Sequence, residues 1–163
     1  MMLGLAYRGK EDVEQALLHF EKALKLYQQQ QQPLGVAETR SACASIFLLC
    51  GDVERARDEQ AQAITQVERV MNSLGTPHQR RMCLCQYAEL YAETAITEIR
   101  RNQDEQARTV LQNMVRITGS HELVRHLQVY IDAMPISGED LTEEERHSNR
   151  DLVRRIKHVL KDL

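Results

Sequence analysis

The sequence predicts an all-α chain, and three observations carry that expectation. Only 7 Gly and 3 Pro occur among 163 residues, too few breakers for a turn-rich β fold. Apolar residues return every three or four positions through most of the chain, the period of one helix face. A pattern of small and apolar residues also repeats about 40 positions later, the mark of a repeated helix pair. Aromatics make up 4% and Trp is absent, so the core must be built from Leu, Val, Ile, Ala and Met.

Each element follows from local spacing. Ala16, Leu17, Phe20, Ala23, Leu24 and Tyr27 line one face of a helix over Val13–Tyr27. The polar stretch Arg8–Asp12 before it reads as a tight turn. Gln28–Gln32 extend the helix until Pro33, which disfavours helical geometry in the residue before it. A second helix runs from near Leu34 to Gly51, where glycine accepts the left-handed backbone of a helix end. Asp52 then caps a third helix lined by Val53, Ala56, Ala63, Ile64, Val67, Val70 and Met71, closed by Gly75-Thr76-Pro77. Leu84, Ala88, Tyr91, Ala95 and Ile99 predict a single helix from about His78 to Arg101. After the turn at Arg101–Asp104, the residues Ala107, Val110, Leu111, Met114, Val115 and Ile117 mark the next. Ser120, Leu123, Leu127, Tyr130 and Ile131 start and line a further helix, ended by Met134-Pro135. Ser137–Glu145 is an acidic linker, and Thr142 with Glu145 has capping-box spacing. The last helix buries Leu152, Val153, Ile156, Val159, Leu160 and Leu163, with Arg150, Arg154, Arg155, Lys157 and Lys161 on its other faces.

The repeat becomes specific when Glu11-Asp12-Val13-Glu14 is set on Gly51-Asp52-Val53-Glu54. Ala16 then falls on Ala56, Ala23 on Ala63, Leu24 on Ile64, Tyr7 on Phe47 and Gly4 on Ala44. Gly4, Tyr7, Ala16, Phe20, Ala23 and Leu24 resemble the tetratricopeptide repeat (TPR), which pairs a small residue and an aromatic on its first helix with two alanines seven apart on its second. The resemblance covers residues 1–117, divided as 1–33, 34–76 and a degenerate 77–117, where Leu111 and Met114 replace the later aromatic and alanine. It implies antiparallel helix pairs stacked as a short right-handed solenoid, with residues 118–163 as C-terminal capping helices joined through an acidic linker near 136–145. Here the repeat is longer than the family's usual one, and its first helix begins part-way along. The open end should leave Ala16, Phe20 and Ala23 uncovered and favour a homo-oligomer.

Composition narrows the partners. A hydrophobic share of 42% and a charged share of 28% are those of an ordinary globular chain. Net charge is −3 with a pI near 6.1, without the overall basic footprint of a nucleic-acid binder. Nucleic acid is therefore not an expected partner. Apolar runs are too short for a membrane span, and the start lacks the apolar stretch of a signal peptide. A cytoplasmic protein with Cys43, Cys50, Cys83 and Cys85 as free thiols is expected.

Motifs that resemble chemistry fail on spacing. Gly4–Lys10 has phosphate-loop spacing, but Glu11 stands where Ser or Thr must meet magnesium. His121 and His126 are five apart and point about 140° from each other on a helix, too far for one metal ion. Cys83 and Cys85 face nearly opposite sides of a helix, whereas Cys43 and Cys50 share one. No catalytic residue, metal site or cofactor is expected.

The TPR resemblance implies a concave groove lined by the first helix of each pair. Its candidate residues are Leu5 and Arg8, then Glu38, Ser41, Ser45 and Leu48, then Glu89, Glu93 and Arg100. The family's cationic clamp for acidic tails is absent, since the matching positions hold Met1, Leu5, Ala42, Glu89 and Glu93. An apolar or basic peptide is the expected ligand. The function expected is a non-catalytic protein–protein interaction module, as an adaptor or as the repeat domain of a larger regulator. The alternative is a peptide- or ligand-sensing regulatory domain of a transcriptional or signalling regulator, whose support is the cationic last helix.

Overall fold

A computed structural model describes residues 10–119, 121–136 and 141–161. The readings placed on Gly4, Leu5, Tyr7, Arg8 and Ser120 lie outside the described residues. The described residues form eight α-helices and no strand, so the chain is all-α as its periodicity predicts. The helices are α1 (Lys10–Gln29), α2 (Pro33–Leu49), α3 (Val53–Ser73), α4 (Pro77–Gln86), α5 (Ala88–Arg100), α6 (Asp104–Thr118), α7 (His121–Ala133) and α8 (Glu143–Lys161). They divide into two compact units, Met1–Val70 and Met71–Leu163. None of them is long and apolar enough to cross a membrane.

In the first unit α1 packs along α2. Pro33 occupies the first turn of α2, where its missing N–H costs no hydrogen bond. Two residues later the helices approach so closely that a Cβ on Gly35 would lie 2.6 Å from Cδ1 of Tyr27. The glycine therefore admits the tyrosine ring to the backbone of α2. Both α1 and α2 end on a left-handed residue with the bonding of a Schellman turn. At α1 that residue is Gln31 (φ 54°), followed by Gln32 N–H donating to Tyr27 O at 2.9 Å. At α2 it is Gly51 (φ 78°), followed by Asp52 N–H donating to Phe47 O at 2.8 Å. Asp52 then accepts from Arg55 N–H at 3.1 Å and caps α3 as its sequence position predicts. Arg40 of α2 pairs with Glu59 of α3 at 2.7 Å, with both side chains mostly buried.

On α3 the stripe Ala56, Ala63 and Val67 is wholly buried. Gln60 lies in the same stripe at 0% exposure, and neither amide atom of its side chain has a hydrogen-bond partner. Of the alanines that define the repeat, Ala56 and Ala63 are sealed in the core, whereas Ala16 and Ala23 on α1 are half-buried.

The second unit is built around α5. This helix packs against α4, α6, α7 and α8 and buries ten of its thirteen residues, so no single apolar stripe describes it. Threonine is accommodated there by bonding back along the helix: Thr94 donates to Leu90 O at 2.7 Å and Thr97 to Glu93 O at 2.9 Å. The helix expected over His78–Arg101 is interrupted at Tyr87. Its N–H donates to Leu84 O at 3.0 Å and its ψ is 16°, a local tightening that separates α4 from α5. Thr76 and Gln79 form a capping box at the start of α4.

α5 ends on Asn102 (φ 59°), with Gln103 N–H donating to Glu98 O at 2.8 Å. This is the third Schellman turn among the described residues. α6 buries Ala107, Leu111 and Met114, and α7 buries Leu127 and Ile131. α8 opens on the capping box foreseen at Thr142 and Glu145: Thr142 N–H donates to Glu145 Oε2 at 2.8 Å, and Glu145 N–H to Thr142 Oγ1 at 3.2 Å. It buries Val153, Ile156 and Val159. Arg155 ties it to the turn before α6, donating to both carboxylate oxygens of Asp104 and, at 2.9 Å, to Asn102 Oδ1.

Candidate functional site

The candidate residues that fall within the described part of the chain lie on two helix faces, one in each unit. In the first unit, Glu38, Ser41, Ser45 and Leu48 follow each other along α2 at intervals of three and four, so they share a face. Glu38 is exposed and the other three are half-buried. The Ser45 hydroxyl donates to Ser41 O at 3.2 Å, leaving a small, shallow surface. The opposite side of α2 carries the buried Val36, Thr39, Cys43 and Ile46.

In the second unit the candidate residues lie on α5, and α7 adds Tyr130 to them. Arg100 Nη2 donates to the Tyr130 hydroxyl at 2.7 Å. Burial pushes the Tyr130 hydroxyl above its ordinary range, Arg100 opposes that shift, and the carboxylate of Glu93 adds to it. Glu93 is half-buried where α5 meets α7, and its pKa is pushed up to about 7 by burial and then by the neighbouring carboxylate of Glu89. Glu89 is one turn away and exposed. Among the described residues no cation forms an ion pair with Glu89 or Glu93, and the Arg100 guanidinium, still charged, is held at the far end of the row by Tyr130. The row therefore presents a carboxylate poised near neutrality, a second exposed carboxylate, and a fixed cation on a phenol.

Sequence reasoning identified Glu89, Glu93 and Arg100 but not Tyr130, which it assigned only to the apolar stripe of α7. The 30-residue separation of Arg100 from Tyr130 leaves no local signal of their contact.

The cysteines are unbridged. Cys43 and Cys83 are buried, whereas Cys50 is exposed. Cys50 does not share the burial of Cys43 seven residues earlier, because it follows the last turn of α2 as its C-cap. The Cys43 thiol is pushed up to about 11, chiefly by burial and then by Glu59, which makes it a poor nucleophile. Among the described residues no group of three His, Cys, Asp or Glu side chains could hold a metal ion. A polar cleft between the end of α5 and the start of α8 gathers Arg100, His147, Ser148, Asp151 and Arg155. Two of its charges are taken up structurally, Arg155 by Asp104 and Asp151 by Arg154.

No family model, no curated protein and no solved structure matches the chain.

Proposed function

We propose that the chain is a non-catalytic interaction module of the TPR type, which holds a basic or apolar peptide. The observation that carries this reading is the α5–α7 face. There a half-buried carboxylate, Glu93, sits beside a second one, Glu89, which helps to raise its pKa, and neither forms an ion pair among the described residues. A lysine or arginine from a peptide would meet both carboxylates and relieve their repulsion, while an acidic peptide would be turned away. The buried pair Ala56 and Ala63 and the short, well-capped turns fit a scaffold whose helices are held rigid for binding.

The test is a peptide library of matched basic, acidic and neutral apolar sequences, screened against the whole chain and against the double variant Glu89→Lys, Glu93→Gln. Basic peptides should be selected by the native chain and lost by the variant, with helicity unchanged in circular dichroism. Selection of acidic peptides by the native chain, or equal selection by both proteins, would refute the reading.

Self-association belongs to the same proposal. On α1, Leu18 and Leu26 are 44% and 51% exposed, and Ala16, Phe20 and Ala23 are half-buried. Sedimentation velocity over a hundredfold range of concentration should show a larger species that Leu18→Glu with Leu26→Glu abolishes. A monomer throughout removes this part of the proposal.

A further inference from the structure

α8 carries more cations than its own structure uses. Arg155 is consumed by Asp104 and Asn102, and Arg146 pairs with Glu143 at 2.6 Å. Arg150, Arg154, Lys157 and Lys161 are all exposed and border one shallow depression together with His158. At about 100° per residue the five side chains fall within a sector of about 100°, and at about 1.5 Å per residue they span about 16 Å. Only Arg154 has an acid partner, Asp151 at 2.5 Å, and that arginine is 80% exposed. Among the described residues Arg150, Lys157 and Lys161 form no ion pair. Four fixed cations thus face one carboxylate among the described residues, and the net charge of −3 for the whole chain conceals the stripe.

The helix dipole accounts for only part of this row. Its influence fades within the last turn, which holds His158 and Lys161. Arg150 and Arg154 lie further back and gain nothing from it.

From this surface we infer a second binding site, which takes the phosphate backbone of a nucleic acid without reading its sequence. Charge complementarity selects the class of partner. The only apolar side chain on the depression, Val153, is 8% exposed, so the stripe lacks the aromatic and apolar anchors that protein interfaces depend on. With the apolar face of α8 turned into the core, the helix has nothing to insert into a lipid bilayer. A polyanion needs neither. No Asn or Gln stands in the stripe to read adenine, and flexible exposed cations on a shallow surface follow phosphates whatever the sequence, hence the lack of sequence preference. This inference is independent of the α5–α7 face.

The experiment titrates the whole chain into a labelled 20-base-pair duplex of arbitrary sequence and follows anisotropy at several salt concentrations. With about three phosphates neutralised, log K should fall with log salt at a slope near −2.7, roughly a 40-fold loss between 50 and 200 mM. Arg150→Gln, Lys157→Gln and Lys161→Gln together should abolish binding, whereas Lys22→Gln, Lys25→Gln and Arg69→Gln, which remove equal charge elsewhere, should leave it within about twofold. A second duplex sequence should bind within about twofold of the first. The inference is overturned by no binding at 50 mM salt, or by equal losses in the two triple variants. Polyglutamate competing as well as DNA at equal charge would overturn it in favour of an acidic protein. Binding to anionic vesicles in place of DNA would overturn it in favour of a membrane surface.

Discussion

Replacing Glu93 with glutamine should stabilise the protein above neutral pH and leave it nearly unchanged in mild acid. Glu93 is half-buried, and its pKa in the fold is about 7 against an ordinary value of 4.5. Between those values the unfolded chain releases the proton while the folded one holds it, so stability falls as pH rises. The favourable contribution is complete below about 4.5 and is lost as pH passes about 7. The interval from 4.5 to about 7, at about 1.4 kcal/mol per pH unit, sets a ceiling of about 3.5 kcal/mol. Solvent access on the open side of α5 reduces that to about 1–2 kcal/mol. Glutamine keeps the size of the side chain and never ionises. Urea unfolding of both proteins from pH 4.5 to 8.5, followed by circular dichroism, should give a difference that grows from near zero to about 1–2 kcal/mol in favour of Glu93→Gln. A difference that does not vary with pH would refute the reasoning, because a packing effect does not titrate. Glu89→Gln should move the midpoint of that growth to lower pH, since Glu89 is the second cause of the shift.

Three further expectations concern the scaffold. Gly35→Ala should destabilise by about 1–2 kcal/mol, overpacking against Tyr27 outweighing the gain in helix propensity; in a Tyr27→Ala background the same change should stabilise by about 1 kcal/mol, and the same sign in both backgrounds would discard the close-approach account. Gln31→Gly should raise the melting temperature, relieving about 1 kcal/mol of left-handed strain, whereas Gly51→Ala should lower it by a similar amount; thermal unfolding of the two variants checks both signs. Gln60→Met should stabilise by about 1–2 kcal/mol, because it removes a buried amide that makes no hydrogen bond, and a loss of stability in denaturant melts would show that the amide has a partner in solution.

What could be read from sequence was governed by distance along the chain. Gly51, Asp52 and the Thr142–Glu145 box were legible because each rests on hydrogen bonds spanning at most five residues. The Thr76–Gln79 box is equally legible, since Thr-x-x-Gln has the required spacing, although Gly75-Thr76-Pro77 also reads as the end of the preceding helix. Gly35 gave no sign of its role, since the ring that needs it belongs to another helix. Nor did Asn102 mark itself as the third left-handed terminus, because asparagine fits many turns as well as this one. The break at Tyr87 leaves no mark in the sequence, because the apolar spacing continues across it. At the candidate site, the spacing of Glu89 and Glu93 along one face was visible. The burial that lifts Glu93 towards neutrality was not, because it depends on α7 lying across α5.

The hydrogen bond from Arg100 to Tyr130 also has an optical consequence. With no Trp and only 5 Tyr in the chain, ultraviolet absorption and fluorescence near 300 nm (roughly) come from phenols alone. Tyr130 is the phenol whose hydroxyl is held by a guanidinium on the proposed peptide face. A basic ligand that neutralises Glu93, one of the charges acting on Tyr130, would change the field around that ring and shift its absorption band, and Tyr130→Phe would silence the signal. The protein therefore carries its own label for occupancy of this face, and titrations can be followed without attaching a dye.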